Sequence, residues 1–219
     1  MKFKKLLFIA LMLIAIKSWG NSAPWVGATL EGLPCNGGGQ GFGPYDYSHR
    51  AGLDEQLHIV EGAHFTPEVE NLLNGKSSTL EGDLNYTLRA WPNHHRALLS
   101  IIKYQLNINK KITPGKLSTP PECYLQRAIR FSPEDVGSYS LFGHYLRKTG
   151  HTDEAAKYYQ KALAIDPKNA KVAYSFSFLL IDLKRYEEAV KYAKIAYQQD
   201  AKTPNALKQK LEKLGAWKE

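Results

Sequence analysis

The sequence predicts a mostly α-helical protein whose C-terminal half is a short solenoid of helix–turn–helix units. Apolar residues recur at helical spacing on both sides of a glycine turn within residues 136–169, and the same pattern returns 34 residues later. One such pair of helices cannot bury its own apolar faces, whereas stacked copies bury a continuous core. Before this part, glycines crowd residues 27–43, which predicts an irregular N-terminal head.

The unit at residues 136–169 contains each signal that a helical hairpin needs. The apolar stripe of its first helix consists of Tyr139, Phe142, Gly143 and Leu146. Gly150 stands where an ending helix favours a left-handed residue, and we expect Thr152 to cap the second helix. The small and aromatic residues of that helix are Ala155, Tyr158, Tyr159 and Ala162. Asp166 and Pro167 then end it.

Small and aromatic residues repeat in register 34 positions apart: Phe142 and Phe176, Leu146 and Leu180, Ala155 and Ala189, Ala162 and Ala196. These residues resemble the tetratricopeptide repeat family, whose small positions let two helices touch and whose proline opens the next repeat. The resemblance is tight over 136–169. It is looser over 170–203, where Ser177 replaces the packing glycine and Ala201 the proline, and it is partial before residue 120. Two unrelated amphipathic hairpins would not match at so many positions.

Residues 1–20 have the plan of a secretory signal peptide. Three lysines precede an apolar run from Leu6 to Ile16, and small residues follow it. The run is too short to span a bilayer comfortably. We therefore expect cleavage after Gly20 and a periplasmic or secreted bacterial protein that meets the membrane only through its leader. An uncleaved membrane anchor is the alternative.

The net charge of +8 is partly an effect of this leader. Without Lys2, Lys4, Lys5 and Lys17, the 29 basic side chains fall to 25 against 21 acidic ones, a net charge of +4. A mildly basic exported protein gives little reason to expect a nucleic-acid partner.

Cys35 and Cys123 are the two cysteines of the chain. In an oxidising compartment an isolated pair is most often a disulfide, and this spacing suits neither zinc nor haem. Such a bond closes a long loop, which stabilises by about 4 kcal/mol in the chain-entropy model.

The regions outside the two repeats are less regular. We predict a Gly-rich head with short helices over 21–82, with Tyr45 and Tyr47 packed on the helical body. Residues 83–135 look like a degenerate repeat with a long loop, the two repeats fill 136–203, and a capping helix follows over 204–219. Periodicity leaves residues 53–65 open between helix and strand. A helix opened by Pro67, a long helix after Pro92 and a last helix capped by Thr203 complete the prediction.

The family resemblance implies that the first helix of each repeat lines a concave groove that contacts partners. The predicted groove residues are Ser140, His144, Arg147, Lys171, Tyr174 and Phe178, with Arg96, Ser100 and Lys103 added if the degenerate repeat is real. Tyr174 and Phe178 suit an apolar segment of another protein. Alternatively, the terminal helix or the head folds over them. Ser140, His144 and Ser175 replace the Lys and Asn residues with which some family members grip acidic chaperone termini, so that clamp is absent.

A catalytic or metal site has weaker support. His64 with Glu61 and Glu68, or His94 and His95 near Asp83, contain suitable residue types, but their spacing puts them on no shared helix face. Glu70 stands where a phosphate loop ending in Gly75–Lys76–Ser77 needs glycine, and the sequence predicts no cofactor.

These observations favour a non-catalytic module that binds another protein or a peptide segment, such as an adaptor or assembly factor of a cell-envelope complex. The alternative is a periplasmic enzyme or metal-binding protein whose site is built from front-half residues, His64 and His94 above all.

Overall fold

The computed structural model describes residues 22–39, 41–112, 115–200 and 202–217. The predicted leader and its cleavage site lie outside these residues. The described part is helical and contains no β-strand, in agreement with the predicted all-α solenoid. Its α-helices are α1 (Asp54–His64), α2 (Pro67–Glu70), α3 (Leu80–Ala90), α4 (His95–Asn109), α5 (Pro121–Phe131), α6 (Val136–Lys148), α7 (Thr152–Ile165), α8 (Ala170–Asp182), α9 (Tyr186–Gln199) and α10 (Ala206–Lys213). A single 3-10 turn, Tyr47–His49, lies in the head.

Helices α6 and α7 form the first predicted repeat, α8 and α9 form the second, and α10 packs against both helices of the second. The small residues that the period predicts at the contact, Ala128, Ala162 and Ala196, are fully buried. A side chain larger than a methyl group there would push the paired helices apart. One apolar core runs from Phe65 to Leu211 through all the repeats.

The same backbone corner ends α3, α5, α7 and α9. In each case the amide N–H of the corner residue donates to the carbonyl oxygen four residues earlier, and the N–H three residues later donates to the corner carbonyl at 3.0 to 3.2 Å. The corner residues are Trp91, Ser132, Asp166 and Asp200. The corner at Trp91 therefore has the geometry of a repeat junction, and α3 occupies the place of a second helix in a preceding unit.

The head begins with a strap, residues 22–39, which lies against α3 and α5. Side chains of α5 hold its backbone: Arg127 Nε donates to the Ala23 carbonyl at 2.6 Å, and Gln126 Nε2 donates to the Ala28 carbonyl at 2.7 Å. Cys35 and Cys123 form a disulfide with Cα atoms 5.3 Å apart. A covalent bond and sequence-independent backbone contacts thus attach the strap to the solenoid.

The second part of the head packs through aromatic rings, as predicted. Tyr45 lies 5.0 Å from Trp91 between ring centroids, and Tyr47 lies 4.3 Å from His94. The backbone approaches α3 closely at Gly43, where an added Cβ would lie 2.4 Å from the Ala90 carbonyl oxygen and φ is +85°. Only glycine fits this position without displacement.

Two predicted helix starts are wrong. His151 rather than Thr152 precedes α7, and no side chain caps that helix. Helix α10 begins at Ala206 instead of Pro204, because the Tyr197 hydroxyl donates to the Pro204 carbonyl and accepts from the Lys208 amide. The segment that periodicity left open is the helix α1.

Across the described residues, no helix has the length and apolar character needed to cross a membrane.

Candidate protein-binding groove

The first helices α4, α6 and α8 pack side by side and present one shared face, which we call the groove. The structure brings Arg147, Tyr174 and Phe178 together at its C-terminal end, the end near α10. It places Ser140 and Lys171 at the other end, near the head, where both line a cavity. The predicted groove residues therefore divide into two groups.

Tyr174 and Phe178 form an aromatic pair on α8. Their ring centroids lie 5.1 Å apart with ring planes at 73°, an edge-to-face contact. Both side chains are half-buried and lie at the edge of the core. Burial raises the pKa of the Tyr174 hydroxyl. The pair thus presents partly accessible aromatic surface on the groove.

Two cations lie over the Phe178 ring, and one carboxylate is paired with both of them. Arg147 Cζ lies 5.7 Å and Lys210 Nζ 5.5 Å from its centroid. Arg147 Nε donates to Asp182 Oδ2 at 2.6 Å, and Lys210 Nζ lies 3.7 Å from Asp182 Oδ1. The terminal helix, which was the predicted alternative cover, reaches Phe178 through Lys210 and leaves both residues partly exposed.

His144 lies between the two groups on α6. Burial lowers its pKa to about 4, and the positive charges of Lys148, Arg147 and Lys103 act in the same direction. The imidazole is therefore neutral at neutral pH. It adds a polar edge to the groove without adding charge.

The prediction for Ser100 is wrong. Its side chain is buried and Oγ donates to the carbonyl of Glu70, so α2 covers this part of α4. Arg96 stays on the surface but binds Glu61 at 3.2 Å and also Glu70. Lys103 is exposed, as expected for a groove residue.

The histidines of the alternative site are held apart by separate partners. His64 Nδ1 lies 2.8 Å from Asp83 Oδ1, whereas His94 Nε2 lies 2.9 Å from Glu61 Oε1, the reverse of the pairing that sequence proximity indicated. His94 Nδ1 also accepts the Ala97 amide at 3.1 Å, so one nitrogen of this buried ring caps α4 and the other binds Glu61 of α1. Among the described residues, no group of three or more His, Cys, Asp or Glu side chains has a metal-binding arrangement.

Two residues near the groove were missed by the sequence analysis. Arg50 belongs to the head, and nothing in the repeat register relates it to α6 or α8. Lys210 lies on the terminal helix, which the sequence predicted only as a capping helix. The remaining predicted groups lie on the first helices, where the period of 34 residues places them.

A family model described as "Tetratricopeptide repeat" matches residues 146–213, which include the end of α6 and all of α7, α8, α9 and α10. The C-terminal part of this chain is a tetratricopeptide-repeat domain. A crystal structure of MamA is similar to the chain with 20% identity, 70% of this chain and 85% of that chain covered, and a TM-score of 0.47. A point mutant of MamA has 21% identity, coverages of 68% and 97%, and a TM-score of 0.38. No curated protein sequence matches the chain.

The tetratricopeptide-repeat domain supports a role in protein–protein interaction. Repeats of this kind form extended concave surfaces on which other polypeptides bind. The fold agrees with a scaffold, and the groove formed by α4, α6 and α8 is the corresponding surface here.

Proposed function

We propose that this protein is an exported tetratricopeptide-repeat adaptor or assembly factor that captures a segment of another cell-envelope protein in the groove. The observation that carries the proposal is the aromatic pair of Tyr174 and Phe178, which remains partly exposed on the first-helix face. Accessible aromatic rings next to cations are typical of residues that anchor a protein partner.

Export is supported by the leader-like sequence of residues 1–20 and by the disulfide between Cys35 and Cys123. Disulfides persist in oxidising compartments and are rare in the cytosol. The strap depends on this bond for its covalent attachment to α5. An oxidising envelope compartment is therefore the setting in which we expect the protein to act.

A non-catalytic role is supported by the state of the front-half histidines. His64, His94 and His95 are each hydrogen-bonded to a carboxylate of the fold. These contacts connect elements distant in sequence, α1 to α3, α1 to α4 and α4 to α6. The contacts that these three histidines make in the structure stabilise the fold.

The proposal is tested by affinity capture from an envelope extract with the oxidised protein as bait. The variant carrying Tyr174→Ser and Phe178→Ser should lose the captured partner and keep its helicity, measured by far-UV circular dichroism. The matched control is Tyr186→Ser, which changes a half-buried aromatic residue on α9, outside the groove. Undiminished capture by the double variant, with the control unchanged, would show that the groove is not the binding surface.

A further inference from the structure

The head and the first helices enclose a cleft of about 750 Å³ at the end of the groove opposite Phe178. One wall is the head segment Ser48–Arg50, and the other consists of the first turns of α4, α6 and α8. The floor contains the apolar side chains Leu99, Leu141 and Val172. The cleft exists only because the head returns across α4, so it is a feature of this chain and not of a bare repeat array.

The head wall is fixed in place by buried polar contacts. The Tyr47 amide donates to Asn93 Oδ1 at 2.8 Å, and Asn93 Nδ2 donates to Asp46 Oδ1 at 2.6 Å. Although burial acts to raise the pKa of Asp46, hydrogen bonds from Ser48, Asn93, Ser132 and His49 lower it to about 2, so the carboxylate is charged. Arg50 Nη1 donates to the Tyr47 carbonyl at 2.9 Å, and the guanidinium lies 4.4 Å from the Tyr47 ring centroid. The wall is therefore preorganised and presents a positive charge.

Charge is distributed unequally between the two kinds of helix. The first helices α4, α6 and α8 have one acidic side chain, Asp182, and five basic ones, Arg96, Lys103, Arg147, Lys148 and Lys171. The second helices α5, α7 and α9 have five acidic residues, Glu122, Asp153, Glu154, Glu187 and Glu188, against six basic ones, Arg127, Arg130, Lys157, Lys161, Lys191 and Lys194. The excess of positive charge is thus concentrated on the first helices.

The acids near the groove offset only part of this excess. Asp182 is paired with Arg147 and Lys210. Asp135, which lines the cleft, is bound to His95 Nε2 at 2.8 Å and to Ser138 Oγ at 2.6 Å. Glu134 also lines the cleft and is exposed, so it is the one acid there whose charge is not already used in such contacts. Arg50 and Lys171 form no ion pair with the described residues, and both line the cleft. Two unneutralised cations therefore face an apolar floor.

We infer that the cleft receives an acidic segment of the partner protein, with an apolar side chain on the floor and carboxylates directed to Arg50 and Lys171. This inference rests on the proposed function and adds the chemistry of the partner and a role for the head. Opposite charges across an interface steer association and discriminate between partners. The residues differ from the Lys and Asn set that Ser140, His144 and Ser175 replace in this chain.

The test is a selection of short random-sequence peptides on the oxidised full chain, followed by fluorescence anisotropy with the enriched peptide. We expect enriched peptides to combine glutamate or aspartate with an apolar residue and to bind more weakly as salt rises. The variant with Arg50→Glu and Lys171→Glu should bind at least about tenfold more weakly. The matched control is Lys157→Glu with Lys191→Glu, which reverses two exposed charges on second helices.

A milder variant, Arg50→Gln with Lys171→Gln, keeps the test valid if charge reversal disturbs the fold. It should weaken binding by several fold and keep the wild-type circular dichroism. Enrichment of neutral or basic peptides, no enrichment, or unchanged affinity in both charge variants would overturn the inference. If the enriched peptide loses affinity only with Tyr174→Ser and Phe178→Ser, the groove binds a partner as proposed and the acidic chemistry is wrong. If neither pair of changes weakens binding, the proposed function fails as well.

Discussion

The first repeat, α6 with α7, and the second repeat, α8 with α9, follow the same path with different residues at the helix contact. In the first, Gly143 lies against Tyr159, and an added Cβ would be 3.0 Å from two carbons of that ring. In the second, the corresponding residues are Ser177 and Ala193, both fully buried. The first repeat thus pairs glycine with a large residue, and the second repeat pairs serine with a small one. The distance between paired helices depends on both positions together, because the interior is close-packed.

The change Gly143→Ser should break this balance and has the largest expected effect. The variant has in the first repeat the serine that the second repeat has at position 177, but the Tyr159 ring still occupies the space beside it. Overpacking a well-packed core costs about 1–3 kcal/mol, and we expect about 2 kcal/mol here. Urea unfolding followed by circular dichroism measures the loss.

Two further variants show whether the pair is the cause. With Tyr159→Ala already present, the first repeat has the small partner of the second, and Gly143→Ser should then cost less than about 0.5 kcal/mol. In the second repeat Ser177→Gly relieves no overpacking, and it should cost about 0.5 kcal/mol because glycine has a lower helix propensity than serine. Equal costs of Gly143→Ser with and without Tyr159 would contradict the compensation.

His144 on α6 and Phe178 on α8 occupy the same position of the two repeats, and this difference predicts a dependence on pH. Burial first, and then Lys148, Arg147 and Lys103, lower the His144 pKa from 6.5 to about 4. The folded state therefore binds fewer protons than the unfolded state between these values. Stability is complete above about pH 6.5 and is lost as the pH falls toward 4.

Replacing the histidine by the residue of the second repeat, His144→Phe, should remove this contribution. We expect the difference in unfolding free energy between pH 7 and pH 4 to shrink by roughly 2 kcal/mol, allowing for the partial exposure of the ring. Urea titrations of both proteins at the two pH values measure it. The wild type and the variant share every other titrating group, so an unchanged difference would mean that folding does not lower the pKa of His144.

The two repeats were predictable because their signals are local and repeat in register. Ala162, Ala196 and Phe176 were placed correctly in the core by the 34-residue period alone. Helix starts failed where a backbone arrangement replaced a side-chain cap, as at His151, and where a hydroxyl from another helix intervened, as Tyr197 does before α10. These are tertiary effects that no local pattern records.

The head was unpredictable for a related reason. Its strap is held by contacts that join residues about a hundred positions apart, such as Arg127 with the Ala23 carbonyl. Every residue type has a backbone carbonyl, so the sequence does not indicate which carbonyl accepts such a hydrogen bond. The disulfide was the exception, because a chain with two cysteines allows one internal pairing. Arg50 lines the cleft only because the head packs against the first helices. The repeat register could therefore identify Lys171 as a groove residue, but it could not identify Arg50.

The smallest expected effect comes from the turn inside each repeat. Gly150 in the first and Lys184 in the second both have positive φ, +89° and 58°, and in each turn the next residue donates its amide to a carbonyl five residues earlier, at 2.9 and 2.8 Å. A left-handed backbone costs an L-residue about 1 kcal/mol that glycine avoids, partly offset by the greater freedom of glycine in the unfolded chain. Lys184→Gly should therefore stabilise the protein by about 0.5–1 kcal/mol, and Gly150→Lys should destabilise it by a similar amount, both measured by urea unfolding. The Lys184 side chain is exposed and forms no ion pair with the described residues, so its loss should not by itself affect stability. If Lys184→Gly destabilises the protein, the two turns have different backbone preferences although their hydrogen bonds are alike.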